Sequence, residues 1–171
     1  MNITNIKIVI NTILFFVLVT NGYSVNANTK VIGLTINESS LDDVNKLYTT
    51  ERDGNNGYLI SHEQIPIDGV EEAFVTIHEN KVKVVGFKFF DSKYPYLRDL
   101  LKSKYKLISE DGDYPFPAIA TFENDGDMIF LKKDLGKSVD LIYVNKKFNI
   151  LVNKSVNKRK EKERDNDLSH L

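Results

Sequence analysis

The stretch VTIHENKVKVVGFKF, Val75 to Phe89, constrains the fold more than any other segment. Apolar and polar residues alternate on both sides of Glu79-Asn80, and a period of two is the mark of strands with one face buried. Pairing the two arms about Glu79-Asn80 makes a hairpin. Val75, Ile77, Val82 and Val84 then share one face, while Thr76, His78, Lys81 and Lys83 share the other. The first set predicts a core stripe and the second a solvated, cationic surface.

The chain around this hairpin reads as an α+β domain. TKVIGLTI is a short first strand, and NESSLDDVNKLY announces a helix. Ser40 and Asp43 fit a capping box, with Leu41, Val44, Leu47 and Tyr48 as the apolar stripe. TTERDGNNGY reads as a loop. Strand-like YLISHEQI, EAFVTIHE and KVKVVGFKFF follow, and DSKYPYLRDLLKSKY gives a second helix. Pro95 is tolerated in its first turn, which has no intrahelical N–H bond to lose, and Tyr94, Leu97, Leu100 and Leu101 form its buried face. From there to SVDLIYVN the chain is again β in character. The expected architecture is an antiparallel sheet with two helices on one face, built from two tandem α-β-β-β units, with halves at about 30–90 and 91–145.

The ends carry different information. MNITNIK, the apolar run from Ile8 to Val19 and the small residues Val25 and Ala27 have the three-part form of a secretory signal peptide. The apolar run is far short of the roughly 20 residues needed to span a bilayer. Residues 1–27 are therefore expected to be removed, leaving no transmembrane helix and an exported product, periplasmic or extracellular. The chain has no cysteine. That excludes disulfides, thiolate catalysis, sulfur-ligated metals and a lipoprotein anchor, so one core within residues 28–145 must suffice. From residue 28 to 145 there are 14 cations against 20 acids, a balance of −6; from 146 to 171 there are 8 against 4, a balance of +4. The tail 146–171 is expected to be a charged helix or disorder. Phe148, Leu151 and Val152 start it against the domain, and it is solvated past Val156. Its mixed signs do not make the one-signed patch that nucleic acid requires.

Residues with chemical potential have plain readings. Ser61, His62 and Glu63 sit side by side on an expected strand, where neighbours point to opposite faces and no triad assembles. His78 lies among lysines, which oppose a bound cation, and His170 lies in the tail. The acids of Glu123 to Met128 and Ser109 to Asp113 lack the spacing of a calcium loop. Asp-Gly between apolar strands favours a two-residue hairpin turn instead. Asp42-Asp43 and Glu71-Glu72 belong to a helix start and a strand entry. No phosphate loop, nucleophile elbow or paired-histidine helix occurs. Catalytic, cofactor and metal residues are therefore all expected to be none.

What is left is aromatic. Tyr94, Tyr96, Tyr105, Tyr114 and Phe116 run from the second helix into DYPFPAI, where two prolines stiffen the loop. Rigid tyrosines suit protein contact, and Tyr94, Tyr96, Tyr114 and Phe116 are the expected partner-facing residues. The alternative is that these rings pack the helix onto the sheet.

The export signal, IGLTINESSLDDVNKLY, the hairpin, LLKSKY and the late LIYVN together resemble small bacterial periplasmic α+β proteins. These are the β-lactamase-inhibitor-protein-like group and the small outer-membrane-assembly lipoproteins. The resemblance spans roughly residues 30–145 and lacks the cysteines of both groups. It implies a binding role and transfers no residue. The expectation is a non-enzymatic exported protein that docks another protein, in one form an inhibitor or immunity protein. The alternatives are a small hydrolase or ligand carrier with a helix–sheet pocket, and a structural envelope component.

Overall fold

The computed structural model describes residues 28–136 and 138–170, so the expected signal peptide at 1–27 lies outside the described residues. A two-stranded ribbon, β1 (Lys30–Val31) and β2 (Leu34–Thr35), leads into α1 (Leu41–Leu47). Then come β3 (Thr50–Asp53), β4 (Gly57–Ile60), β5 (Val70–His78) and β6 (Lys81–Phe89). After α2 (Tyr94–Lys104), β7 (Lys106–Gly112), β8 (Ala118–Asn124), β9 (Asp127–Lys133) and β10 (Val139–Asn145) complete the sheet. The long helix α3 (Lys146–Leu168) ends the described chain. All eight strands β3 to β10 form one antiparallel sheet in the order β3-β4-β5-β6-β10-β9-β8-β7.

Each of α1 and α2 is thus followed by four strands, where three were expected. The extra strand in the first half is TERD, inside the segment read as a loop. Its side chains are almost all exposed, so it has no apolar alternation, and only the ladder from Thr50↔Ile60 to Asp53↔Gly57 makes it a strand. The residues of β7 are likewise all exposed, although the Glu110 side chain is partly covered by α2.

The expected capping box closes α1. Ser40 Oγ accepts from the Asp43 amide at 3.2 Å, and the Ser40 amide donates to the Asp43 carboxylate at 3.0 Å. The Ser40 backbone, then Lys46, hold Asp43 down to about 2. The helix is only two turns long, so Val44 is its one fully buried residue and Leu47 is exposed rather than part of the stripe. In α2, Tyr94, Leu97 and Leu101 are buried as expected, while Leu100 is half-exposed.

Glu79 and Asn80 form the turn of the β5–β6 hairpin, with φ of 52° and 55°. The pairing is Val75↔Val85, Thr76↔Val84, Ile77↔Val82 and His78↔Lys81, which leaves Lys83 as a bulged residue. Val75, Ile77 and Val82 face the core as read, but the bulge turns Val84 to the opposite face beside Thr76. Val85 and Phe87 fill the core in its place. Lys83 is not on a solvated surface: it is buried, and its ammonium donates to Asn37 Oδ1 at 2.6 Å. The adjacent Val84-Val85 is the sequence trace of this shift in phase.

One core forms on the face of the sheet that carries Val75, Val85, Phe87, Tyr143, Ile129 and Phe122. Val44 of α1, Leu34 and Ile36 near β2, and Leu97 and Leu101 of α2 join it. On the opposite face Leu59, Phe74, Gly86, Ile142 and Phe130 lie in one cross-strand row. A Cβ on Gly86 would collide with the ring of Phe74, so glycine here is required by the aromatic lying over it. α3 has no buried residue; near its base Phe148 packs on His78 with ring centroids 5.2 Å apart. No helix among the described residues is long and apolar enough to cross a membrane.

Candidate protein-contact surface

The four aromatic residues expected to face a partner go to three places. Tyr94 is fully buried under α2 and offers no contact surface. Its hydroxyl has no hydrogen-bond partner among the described residues, and burial, then Glu110, push its phenol above the usual range. Tyr96 is exposed on α2. It stands two residues from Arg98, more than half a turn round the helix. Tyr114 and Phe116 lie in the loop between β7 and β8.

That loop is fastened at three points. Gly112 enters it at φ 73°, and a Cβ there would collide with the Pro117 carbonyl, so only glycine lets the two ends approach. The Tyr114–Pro115 peptide is cis. Asp113 organises the first turn: its carboxylate accepts from the Tyr114 amide at 2.8 Å and from Arg98 Nη1 of α2 at 3.0 Å, and its carbonyl accepts from the Phe116 amide at 2.9 Å. Arg98 and Lys102 also reach Glu110 of β7, the latter at 2.7 Å, so α2 and the loop share one ion network. The most exposed of these pairs, Arg98–Asp113, contributes at most about 1 kcal/mol.

The third point is Lys133. It ends β9 opposite Ala118 and Val139, on the core face, and is only 2% exposed. Its ammonium donates to the carbonyls of Pro115 at 3.0 Å and Asp134 at 3.4 Å, and lies 5.6 Å from the centre of the Tyr114 ring. A buried ammonium must keep its donors satisfied, so one cation ties the β7–β8 loop to the β9–β10 loop. Between them these loops present Phe116 and Leu135, each 67% exposed, with Tyr114 beside them. The strand pattern gave Lys133 no special standing, and Leu135 went unnoticed because a lone leucine in a turn carries no pattern. Asp111 and Asp113 are exposed around this surface, Asp113 paired with Arg98 at 3.0 Å and Asp134 with Lys132 at 3.0 Å.

The polar candidates are separate from one another. Ser61 ends no strand: β4 stops at Ile60, and His62–Gln64 form a 3₁₀ turn instead of continuing an extended strand. Gln64 draws the chain aside by bonding both the amide and the carbonyl of Thr49. His62 is exposed, His78 lies against Phe148, and His170 touches Asn166. Asp125 and Gly126 form the β8–β9 turn, with φ of 50° at Asp125. Asp127 beyond it is buried and used internally: its carboxylate accepts from the Thr29 amide at 2.8 Å and from Asn145 Nδ2 at 3.3 Å. Burial raises its pKa above the ordinary carboxylate value despite those bonds. The Asp-Gly at 111–112 makes no two-residue turn, because β7 runs through it to Gly112 and the connection is the five-residue loop above. Among the described residues no three histidine, aspartate or glutamate side chains gather in a metal-binding group.

Comparison with protein-family models, with curated proteins and with solved structures finds no match to this chain.

Proposed function

We propose that this chain is an exported, non-enzymatic protein that docks another protein through the Asp113–Pro117 loop and the adjoining Leu135. One observation carries the reading: Phe116 and Leu135 stand two-thirds exposed on two loops that a single buried ammonium holds together. An apolar side chain held out on a fixed loop loses little freedom on association, and so contributes most of its contact area to affinity. Exposed Asp111 beside it, and the −6 balance of residues 28–145, favour a basic partner and fast electrostatic encounter. An inhibitor or immunity-type protein against a basic secreted enzyme or toxin is the concrete form. The rest of the chain serves as a frame, two tandem units of a helix and a four-strand meander meeting along β6 and β10.

The test is affinity capture with the immobilised protein, repeated with Phe116→Ala combined with Leu135→Ala. Both side chains are exposed, so the double variant should keep its stability within about 1 kcal/mol. A stoichiometric basic partner is expected that the double variant fails to hold and that raised salt weakens. Equal retention by the double variant, or no partner over a range of salt, would overturn the reading.

A further inference from the structure

A cleft of about 190 Å³ opens between the β1–β2 ribbon, α2 and the core face of the sheet. Its walls are Phe87, Phe89, Leu97, Leu101, Leu141 and Tyr143, all less than a tenth exposed. Leu100 and Ile67 at its edge are partly open to solvent. Cavities of about 150 Å³ lined by such residues stay dry and admit a benzene ring. The space is below the roughly 300–1,000 Å³ of sites for drug-sized ligands, so it suits one ring or a short alkyl chain.

The polar lining is one-signed. Lys30 and Lys104 both border the cleft, and no acidic side chain does. Among the described residues neither lysine is in an ion pair; the Lys104 ammonium lies over the Tyr105 ring, 5.1 Å from its centre. Although Lys104 also borders a neighbouring depression with Glu123 and Asp125, the border of the cleft itself carries two cations and no carboxylate, which favours an anion there. Tyr105 and Tyr143, edge to face at 6.2 Å, also line the cleft, and burial keeps the Tyr143 phenol protonated well above its usual range.

We propose that this cleft binds a small apolar anion, an aryl or short alkyl carboxylate, with its carbon part against Phe87, Phe89 and Leu101 and its charge at Lys30 and Lys104. The site is separate from the Phe116–Leu135 surface and stands whether or not that surface docks a protein.

Three probes of one shape and different charge test it: 3-phenylpropionate, 3-phenylpropanol and 3-phenylpropylamine, titrated into the purified protein and followed by NMR shifts of the leucine methyls. The acid should bind about three- to tenfold more tightly than the alcohol at low salt, the amine weakest, and about 0.5 M salt should remove the preference. Lys30→Glu combined with Lys104→Glu should reverse the order of acid and amine. Leu100→Trp, at a half-exposed edge position, should exclude all three. Melting of each unliganded variant near the parent temperature establishes that it is folded. Equal binding of acid and amine, an unchanged order in the double variant, or no binding of any probe at about 10 mM would overturn the proposal.

Discussion

Tyr94→Phe is expected to stabilise the protein. The ring is fully buried and stays in place in the variant, so the apolar contacts of α2 with the sheet persist. What is lost is a hydroxyl that no described group bonds. A buried unpaired hydroxyl costs about 1–3 kcal/mol relative to water, while removing one oxygen forfeits only a few tenths in dispersion. The expected gain is therefore about 1 kcal/mol or somewhat more. That corresponds to a rise in Tm of about 3–4 °C for a domain of this size. Urea unfolding is the assay: the midpoint should rise with the slope unchanged. The pH dependence supplies a second signature. Burial raises the native phenol above its unfolded value of 10.0. The stability tied to that raised value is present below pH 10 and lost as pH rises toward the native value. Above pH 10 the wild type should therefore lose stability that the phenylalanine variant keeps. A variant less stable than the wild type by more than about 0.5 kcal/mol would show that the hydroxyl is bonded, and would refute the argument.

Two other sites give equally direct tests. Gly86→Ala should destabilise by about 1–3 kcal/mol, because its methyl enters the space of the Phe74 ring, and adding Phe74→Leu should restore most of the loss in urea melts. Asp127→Asn should gain stability relative to wild type as pH rises through the native pKa of Asp127, which burial places above 3.8. Unfolding midpoints at pH 4 and pH 7 measure this, and a gap that does not widen between them would count against a buried ionised carboxylate.

Much of the fold was legible because its determinants are local. Ser40 and Asp43 sit three residues apart and meet in any helix begun at Ser40. Glu79-Asn80 closes a hairpin whichever elements surround it. The misreadings arose where a distant partner decides. TERD became a strand because β4 pairs with it, although its own side chains are exposed. Tyr94 and Phe116 are both aromatics next to proline, yet one is fully buried and the other two-thirds exposed. Their environments depend on which side of α2 meets the sheet and on where the β7–β8 loop is tied down.

The sequence by itself determined the class of the domain: alternation, caps and turn residues act over a few positions, so they specify an antiparallel sheet with helices before any long-range contact forms. Only the tertiary structure decided the phase within the hairpin, through the bulge at Lys83. It also decided the burial of Lys133 between two loops, one carrying Phe116 and the other Leu135. The cleft that brings Lys30 and Lys104 to one opening likewise joins residues far apart in the chain. The physical reason is the same in each case. Periodicity records how a side chain points from its own backbone, whereas burial, pairing and charge balance depend on what the rest of the chain places opposite it.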